Sequence, residues 1–423
     1  MNETVRFLAA VQHTDFYIVT LVFFAVYPIF TSVVWMTTSS FFWFRREKDS
    51  EPLPLNRTPM VSVLIAAHNE EDVIGRALEA ACTLDYPALE VVVVDDGSTD
   101  ATAAVVREYV GRGRARLIRK EENEGKALAL NDALPCLNGE IVLIMDADAE
   151  PQPQSLRYMV PHFESPRVAA VTGNPRVYNV GSLLCRLQLI EFTSIVSLLR
   201  RSQRVWGRIL TVSGVVTAFR KSALTDVGGF SPDMPTEDID LTWKLQKRFW
   251  DVRYEPNAVL LMRVPSTFRG LVKQRLRWAH GLMQVLRRHH DVILGWRYRR
   301  LWPVFIEAVL STIWAVCFVI LTILWIVSYS VGYPPVGAHP IPNLWGMLIA
   351  TFALIQILIG TLMDRRYDPE TLHYYPYAVF YPIIYWMIMS ITTVIALPAL
   401  FRHPARRPVR WDTERDSIRG EGP

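Results

Sequence analysis

Four long apolar stretches divide the chain into membrane-like ends and a more polar middle block. They cover residues 16–44, 301–330, 344–363 and 375–400. Because a helix rises about 1.5 Å per residue, each stretch is long enough to cross the ~30 Å hydrocarbon core of a bilayer. The first stretch carries no charged residue and is longer than the apolar part of a signal peptide, which predicts a retained anchor.

Basic residues beside these stretches indicate which side of the membrane the middle block occupies. The first stretch is followed by Arg45, Arg46 and Lys48. The second stretch is preceded by Arg287, Arg288, Arg297, Arg299 and Arg300. By the positive-inside rule both ends of the block are cytoplasmic, and Arg365 and Arg366 agree. Four complete crossings would place the arginines of the tail on the side of the membrane opposite the cytoplasm. These arginines are Arg402, Arg406, Arg407 and Arg410. Whether one late stretch is re-entrant or interfacial therefore stays open.

The resulting organisation has five regions. They are an N-terminal transmembrane anchor (1–45), a cytosolic α/β domain (55–265), an amphipathic interfacial helix (266–295), a transmembrane region of about three segments (301–400) and a basic tail (401–423). An apolar share of 51%, with 20% charged residues and a net charge of +4, fits a soluble domain attached to a bilayer. The four cysteines lack C-x-x-C or zinc spacing, which favours free thiols in a reducing compartment.

Short strands rich in valine, isoleucine and leucine alternate with helical segments in the middle block. Strands are predicted at 61–67, 90–96, 115–120 and 140–148, and helices at 72–84, 99–110 and 126–137. Continuous apolar strands linked by helices favour a mostly parallel sheet covered on both faces. Ligands of such sheets bind at the carboxyl ends of the strands.

Three of these strands end in polar clusters. The clusters are A-H-N-E-E (67–71), D-D-G-S (95–98) and D-A-D (146–148). Asn, Asp and Ser are also common helix caps, so any one cluster has about an even chance of being a cap only. Acids at three strand ends on one edge of a sheet favour a binding site over three independent caps.

The D-A-D cluster is suited to a divalent cation. Alternate residues of a strand point to the same side, so Asp146 and Asp148 could address one ion. Carboxylates with few other ligands nearby favour Mg²⁺ or Mn²⁺ bound together with substrate phosphates. The chain has no G-x-G-x-x-G after the first strand and no G-x-x-x-x-G-K-[ST], which disfavours dinucleotide and P-loop sites.

Two further segments carry candidate residues. M-P-T-E-D-I-D-L (234–241) offers Glu237, Asp238 and Asp240, which suit both a helix N-terminus and the presentation of a general base. Lys126 opens a helix after a glycine, and is either a surface lysine or a phosphate contact.

Residues 268–290 predict an amphipathic helix at the membrane surface. Apolar residues recur at helical spacing, at Leu271, Leu276, Ala279, Leu282, Met283 and Leu286. Cations supply the opposite side, at Lys273, Arg275, Arg287 and Arg288. This pattern is typical of a helix lying on anionic lipid, with His289 and His290 as further cations at headgroup level.

The same helix contains Q-R-L-R-W-A-H-G (274–281), which lipid binding alone does not require. Arg277 suits bidentate binding of a diphosphate and neutralises leaving-group charge. Trp278 offers an aromatic face to the C–H surface of a sugar, and Gln274 lies one turn before them. The segment therefore fits an interfacial helix and the wall of a site at once.

These motifs together resemble those of the processive family-2 glycosyltransferases. The ordered set is H-N-E-E, V-V-D-D-G-S-T-D, N-E-G-K-A-L-A-L-N, M-D-A-D-A-E, S-G-V-V-T-A-F-R-K-S-A-L, G-G-F, T-E-D-I-D-L and Q-R-L-R-W-A-H-G. The likeness covers roughly residues 55 to 290. Within that family, the first apolar stretch and the start of the second are most similar to the group that makes poly-β-1,6-N-acetylglucosamine.

The resemblance implies a GT-A fold (Rossmann-like), a UDP-sugar donor and inversion at the anomeric carbon. By position, Ala67, Asn69, Glu70 and Asp96 would bind the nucleoside, and Lys126 would lie near the diphosphate. Asp146 and Asp148 would be the metal pair, with Asp148 the direct ligand of Mg²⁺ or Mn²⁺. Asp238 would be the general base beside Glu237, and Gln274, Arg277 and Trp278 would form the Q-x-x-R-W element.

Partners and alternatives follow from the same likeness. It implies UDP-N-acetylglucosamine as donor, a growing polysaccharide as acceptor, membrane lipid, and a small membrane accessory subunit, in a bacterial inner membrane and without nucleic acid. Hyaluronan or chitin-type synthesis, or transfer of one sugar to a lipid carrier, stays open. A transporter is disfavoured because Glu307 is the one acid inside the apolar stretches.

Overall fold

The computed structural model describes residues 3–47, 51–52, 54–333, 344–401 and 408–410. A sheet domain occupies the middle of the chain, and four helical segments beside it are long and apolar enough to cross a membrane. Lys48, Arg402, Arg406 and Arg407, on which the prediction of orientation partly depended, lie outside the described residues.

The elements are numbered in chain order. The strands are β1 Val61–Ala67, β2 Leu89–Asp95, β3 Arg116–Arg119, β4 Ile141–Asp146, β5 Glu150–Pro151, β6 Val168–Val177, β7 Val216–Arg220 and β8 Asp251–Met262. The helices are α1 Glu3–Gln12, α2 Asp15–Phe42, α3 Ile74–Cys82, α4 Thr102–Gly111, α5 Lys126–Ala133, α6 Ser155–Met159, α7 Leu183–Ile190, α8 Ser197–Trp206, α9 Lys221–Asp226, α10 Glu237–Lys247, α11 Phe268–Arg288, α12 Asp291–Leu294, α13 Trp302–Ser330, α14 Leu344–Asp364, α15 Thr371–Tyr374, α16 Trp386–Ala396 and α17 Pro398–Phe401. Short 3₁₀ or π-helical turns join α7 to α8 and α15 to α16.

The first half of the sheet is parallel, as the alternation of strands and helices predicts. Its order is β3-β2-β1-β4, and every neighbouring pair in it is parallel. Residues of β1 alternate between two cores: Val63 and Ile65 pack on the side of α3, while Leu64 and Ala66 pack on the side of α5. Burial on both faces explains why this strand has no polar alternation.

The second half of the sheet makes the whole sheet mixed. Its order continues β4-β7-β6-β8-β5, with the β4–β7, β6–β7 and β5–β8 pairs antiparallel and the β6–β8 pair parallel. The prediction of a mostly parallel sheet was based on the first four strands alone. In the whole sheet, four of the seven strand pairs are parallel and three are antiparallel.

The first two apolar helices pack against each other in opposite directions. Near the start of α2, Gln12 Nε2 donates to Ser328 Oγ at 3.4 Å, close to the end of α13. Further along, Trp314 Nε1 donates to the carbonyl of Phe24 at 3.0 Å, and the two rings stack with centroids 5.6 Å apart. The two helices therefore run antiparallel, with the end of α2 and the start of α13 at the sheet domain.

The last apolar segment begins and ends beside the sheet domain. Near its start, Arg186 Nη1 of α7 donates to the hydroxyl of Tyr377 at 2.7 Å. Near its end, Ala396 packs with Met283 and Leu286 of α11. In the described part of the tail, the N–H of Val409 donates to the carbonyl of Pro232 at 2.9 Å. The start of this segment and residues 408–410 therefore contact the sheet domain, and the end of the segment contacts α11.

A buried ion network joins the sheet domain to two membrane helices. Arg201 of α8 donates to Glu47, which follows α2, at 2.6 Å, and it pairs with Asp364 at the end of α14 at 2.6 Å. Arg176 of β6 also pairs with Asp364 at 2.6 Å. All four side chains are at most 2% exposed, so each charge depends on the others for compensation. We call these four residues the junction network.

Candidate active site

The register of the sheet brings the predicted acids to one edge. In the pairing of β1 with its neighbours, Ala66 lies opposite Asp146 of β4, and Ala67 lies opposite Asp95 of β2. All three strands run in the same direction, so their carboxyl ends and the loops that follow meet there. The polar clusters predicted at three strand ends therefore do lie together.

Asp96 fixes the loop that leads into α5. Its side chain is fully buried and accepts hydrogen bonds from the N–H groups of Gly125 at 2.7 Å and Glu124 at 3.2 Å. The preceding Asp95 accepts from the N–H of Ser98 at 3.0 Å, inside the loop after β2; this bond is not a helix cap, because α4 begins later, at Thr102. Asp96 thus positions the residues directly before Lys126, and its predicted contact with a nucleoside stays a prediction.

Asn69 and Glu70 connect the first and second strand ends. Asn69 has φ 54°, in the left-handed region that asparagine tolerates, and its side-chain oxygen accepts from the N–H of Thr99 at 2.9 Å. Glu70 is 5% exposed, and its N–H donates to the hydroxyl of Thr102 at 2.7 Å. Both residues lie at the predicted nucleoside edge, next to Ala67 at the end of β1.

Lys126 lies among three carboxylates. Its ammonium is 2.5 Å from Asp146 Oδ1 and 3.4 Å from Glu237 Oε1. Burial alone would lower the pKa of Lys126, but the neighbouring charges of Asp146, Glu237 and Asp238 raise it above the ordinary value. The lysine is therefore a permanent cation at the start of α5, and it is not an exposed surface lysine.

Asp238 has the properties of a general base near neutral pH. It lies in the first turn of α10, half-buried, and its Oδ1 accepts from the N–H of Ile239 at 2.9 Å. Burial, and then the charge of Glu237, raise the pKa of Asp238 to about 6, against the opposing charges of Lys126 and Arg277. A raised pKa beside a fixed cation is typical of catalytic carboxylates.

Asp240, the third acid of the T-E-D-I-D segment, is directed away from this group. It is fully buried and accepts from Ser231 at 2.5 Å and from His289 Nε2 at 2.9 Å. Burial opposes its ionisation, but His289 holds the pKa of Asp240 below its usual range. The prediction of His289 as a headgroup-level cation is wrong, because its ring is buried and stacks on Trp243, whereas His290 is exposed.

The Q-x-x-R-W helix, α11, reaches the same loop. Arg277 Nη1 donates to the carbonyl of Pro235 at 3.2 Å, just before Glu237 and Asp238. Gln274 has its side-chain oxygen buried without a hydrogen-bond partner among the described residues. Trp278 is half-buried, with its ring perpendicular to that of Phe192 at 6.4 Å.

Arg275 does not belong to the cationic side of the helix on which the amphipathic pattern placed it. It is fully buried, donates to Glu191 at 2.6 Å and to the hydroxyl of Tyr385, and lies 4.1 Å over the centroid of the Trp278 ring. We call Arg275, Glu191 and Tyr385 the Arg275 cluster. Sequence reasoning missed its acid and its tyrosine, because both come from distant segments and carry no local motif.

The proposed metal pair is incomplete as a cage of protein ligands. Asp146 and Asp148 are both half-buried after β4, and Asp146 is ion-paired with Lys126. Within the described ranges, no group of three or more His, Cys, Asp or Glu side chains is arranged to hold an ion. Two carboxylates at a half-exposed rim fit a cation that takes its other ligands from phosphates and water.

Comparisons with known proteins agree with this geometry. The family model "Glycosyl transferase family 2" matches residues 62–228, which run from the second residue of β1 to beyond β7 and include the three strand-end clusters. The poly-beta-1,6-N-acetyl-D-glucosamine synthase of Staphylococcus epidermidis is 33% identical over 401 residues, covering 92% of this chain and 97% of the relative. The synthase of the same name from Staphylococcus aureus (strain MSSA476) is 33% identical over 402 residues, with the same coverage.

A solved structure supports the fold. A mannosyltransferase from Pyrobaculum calidifontis, in complex with GDP-Man and Mn²⁺, superposes with a TM-score of 0.66 and 24% identity. The match covers 93% of this chain and 99% of that one, so the sheet domain and the apolar helices are both included. The sheet domain therefore has the Rossmann-like GT-A fold. The family model and the synthase relatives show that the enzyme is a glycosyltransferase. From the identity and coverage of its relatives, this chain belongs to glycosyltransferase family 2.

Proposed function

We propose that this chain is an inverting, processive synthase that transfers N-acetylglucosamine from UDP-N-acetylglucosamine to a growing poly-β-1,6-N-acetylglucosamine chain. One observation carries the proposal: Asp238, with its raised pKa, interacts with the charges of Lys126, which pairs with Asp146, and of Arg277 on α11. A carboxylate and two cations thus meet at one edge of the sheet, and Trp278 follows Arg277 on α11. The names of the curated relatives support the choice of sugar and linkage.

Asp238 would act as the general base. Its carboxylate removes the proton of the acceptor hydroxyl while that oxygen attacks the anomeric carbon of the donor. The bond from this carbon to the diphosphate oxygen breaks, and UDP leaves with the electron pair, so the configuration inverts. A pKa of about 6 keeps the carboxylate ionised at neutral pH and still basic enough to accept a proton.

Lys126 and Arg277 would stabilise the charge on the departing diphosphate. Lys126 is a permanent cation at a helix N-terminus, and Arg277 presents a planar fork suited to phosphate oxygens. Charges fixed in place before the reaction stabilise the transition state without further reorganisation. Trp278 would support the terminal sugar of the acceptor, next to Arg277 on the same helix.

Asp146 and Asp148 would hold Mg²⁺ or Mn²⁺ together with the donor phosphates. The cation would supply further neutralisation of the diphosphate when it is bound. The half-exposed pair and the lack of a third described protein ligand support this shared coordination. Asn69, Glu70 and Asp96 would shape the adjoining nucleoside pocket, beside Ala67.

The sheet domain would lie in the cytoplasm of a bacterial cell, with α2, α13 and α14 crossing the inner membrane. The arginines beside α2 and α13 support this orientation. The start of the last apolar segment contacts the sheet domain and its end contacts α11, which supports three crossings and one re-entrant segment and would put residues 408–410 inside as well. The polymer would leave through the membrane helices, with lipid and a small accessory subunit as partners.

Incubation of membrane vesicles containing the chain with radiolabelled UDP-N-acetylglucosamine tests the proposal. The expected product is a long polymer whose linkage analysis gives β-1,6 bonds. A requirement for a second UDP-sugar would indicate hyaluronan, β-1,4 bonds would indicate chitin, and a single labelled sugar in the lipid extract would indicate a lipid-linked product. Each of these three results would overturn the proposal.

A further inference from the structure

The Trp278 indole is covered on one face by Arg275, which occupies an unspecified position of the Q-x-x-R-W signature. The guanidinium carbon of Arg275 lies 4.1 Å from the ring centroid, within the range of a strong cation–π contact. Two nitrogens of this guanidinium, Nε and Nη1, are buried without a hydrogen-bond acceptor among the described residues. These two nitrogens lie beside the face of the Trp278 indole, which interacts with them in place of an acceptor atom.

The third nitrogen of Arg275 fixes the orientation of the guanidinium. Nη2 donates to Glu191 Oε2 at 2.6 Å and to the hydroxyl of Tyr385, and that hydroxyl donates to the same Glu191 oxygen at 2.6 Å. Arg275 and Tyr385 are fully buried, and Glu191 is 6% exposed. Buried, charge-assisted hydrogen bonds that join three groups in a closed triangle hold the planar guanidinium more firmly than one exposed ion pair would.

Each corner of the Arg275 cluster comes from a different part of the molecule. Arg275 is in α11, Glu191 begins the π-helical turn between α7 and α8, and Tyr385 ends the turn before α16 in the re-entrant segment. The π-helical turn also brings Phe192 edge-on to the Trp278 ring, at 6.4 Å and 84°. π-turns inside helices are frequent at functional sites. The indole thus has the guanidinium over one face and Phe192 packed perpendicular to its plane.

We infer that Arg275, Glu191 and Tyr385 are positioning residues that orient Trp278, so that the indole face opposite Arg275 receives the terminal sugar of the acceptor and the re-entrant segment is coupled to chain elongation. The inference rests on the proposed function, since it gives Trp278 the acceptor. Stacking of a sugar on Trp278 requires that the plane of the indole ring is held in place. A small displacement of a positioning group lowers the reaction rate. The cluster bears on the acceptor alone, because in the described part of the chain its hydrogen bonds join its own members and none reaches Lys126, Asp146 or Asp238.

Tyr385→Phe tests the inference with the smallest change. It removes the hydroxyl from the triangle and keeps the ring, which stacks on Tyr381 with centroids 4.9 Å apart. We expect mean product length and elongation rate to fall about tenfold. The KM for the UDP-sugar, and its slow hydrolysis without acceptor, should stay within about twofold of wild type. A general loss of structure would lower hydrolysis and elongation together, and that parallel loss would overturn the inference.

Two further variants complete the experiment. Arg275→Lys keeps a cation for Glu191 but has no planar group to cover the indole, so it should shorten the product at least as much as Tyr385→Phe. Tyr375→Phe is the matched control: it removes a hydroxyl from the same segment, one that donates to the carbonyl of Leu354 at 3.1 Å, and it should leave product length unchanged. Unchanged length in both Tyr385→Phe and Arg275→Lys would contradict the inference.

The donor for these assays is whichever UDP-sugar the wild-type chain consumes in a panel. If that sugar is not UDP-N-acetylglucosamine, the proposed function fails, while the same variants still measure with the active donor whether the Arg275 cluster controls elongation. The failures of the two proposals are therefore distinguishable.

Discussion

Replacing Asp238 by asparagine removes the proposed base and keeps the size of the side chain. A general base contributes about 10²–10⁴-fold to the rate, so we expect polymer synthesis by Asp238→Asn to fall by that factor. Binding of the UDP-sugar should change little, because the groups proposed to contact the diphosphate are Lys126 and Arg277. The assay is the initial rate of UDP release, together with donor affinity measured by calorimetry.

The raised pKa of Asp238 gives this prediction a pH dependence. With a pKa of about 6, the carboxylate is about 97% ionised at about pH 7.5 but only about 9% ionised at about pH 5. The active form is the deprotonated one, so activity falls as pH falls through about 6, by roughly tenfold over this range. An aspartate with the ordinary pKa of 3.8 would still be about 94% ionised at about pH 5, and would show almost no loss.

The outcome for the variant follows from the same reasoning. The residual activity of Asp238→Asn should lose the acid limb with its midpoint at about pH 6. Asp233→Asn is the matched control, since this acid lies on the same loop and pairs with Arg288 at the surface. Loss of donor binding in Asp238→Asn, or an unchanged acid limb, would refute the assignment of the base.

Three other predictions concern the cation, the leaving group and the junction network. Asp148→Ala should abolish the gain in UDP affinity that Mn²⁺ provides, and an affinity that still responds to Mn²⁺ as in wild type would reject this ligand. Arg277→Lys should lower kcat by on the order of 10²-fold because lysine cannot bind phosphate oxygens with a planar fork; full activity would contradict the role. Arg201→Met should destabilise the protein by about 3–5 kcal/mol, since the buried Glu47 would lose the guanidinium that faces it and the charge of Asp364 would depend on Arg176; an unchanged melting temperature in detergent would contradict it.

The parallel half of the sheet could be predicted because its signals are local. Every residue of β1 is buried, and the sequence boundaries of that strand, 61–67, are those of the structure. The predicted helix at 126–137 ends early, at Ala133, and continues as a tight turn that contains Pro135. Proline lacks the N–H that a continuing helix needs, so even this difference has a local cause.

Features that depend on residues distant in the sequence could not be predicted from local sequence patterns. The amphipathic spacing placed Arg275 and Lys273 together on the cationic side of the helix. Lys273 is exposed, but Arg275 is buried, because Glu191 and Tyr385 compensate its charge. Hydropathy alone could not decide whether the last apolar stretch crosses the membrane, because that depends on what its two ends contact. The direction of Asp240 likewise depends on His289, a partner on another helix.

The central claim is that one edge of the sheet, completed by α11, binds the nucleotide diphosphate of a sugar donor. A cryo-EM map of the chain with UDP and Mn²⁺ tests it most directly. The account predicts density for the diphosphate between Lys126 and Arg277, with a cation at Asp146 and Asp148 and the uracil beside Glu70. Nucleotide density at any other place, with this edge empty, would contradict it.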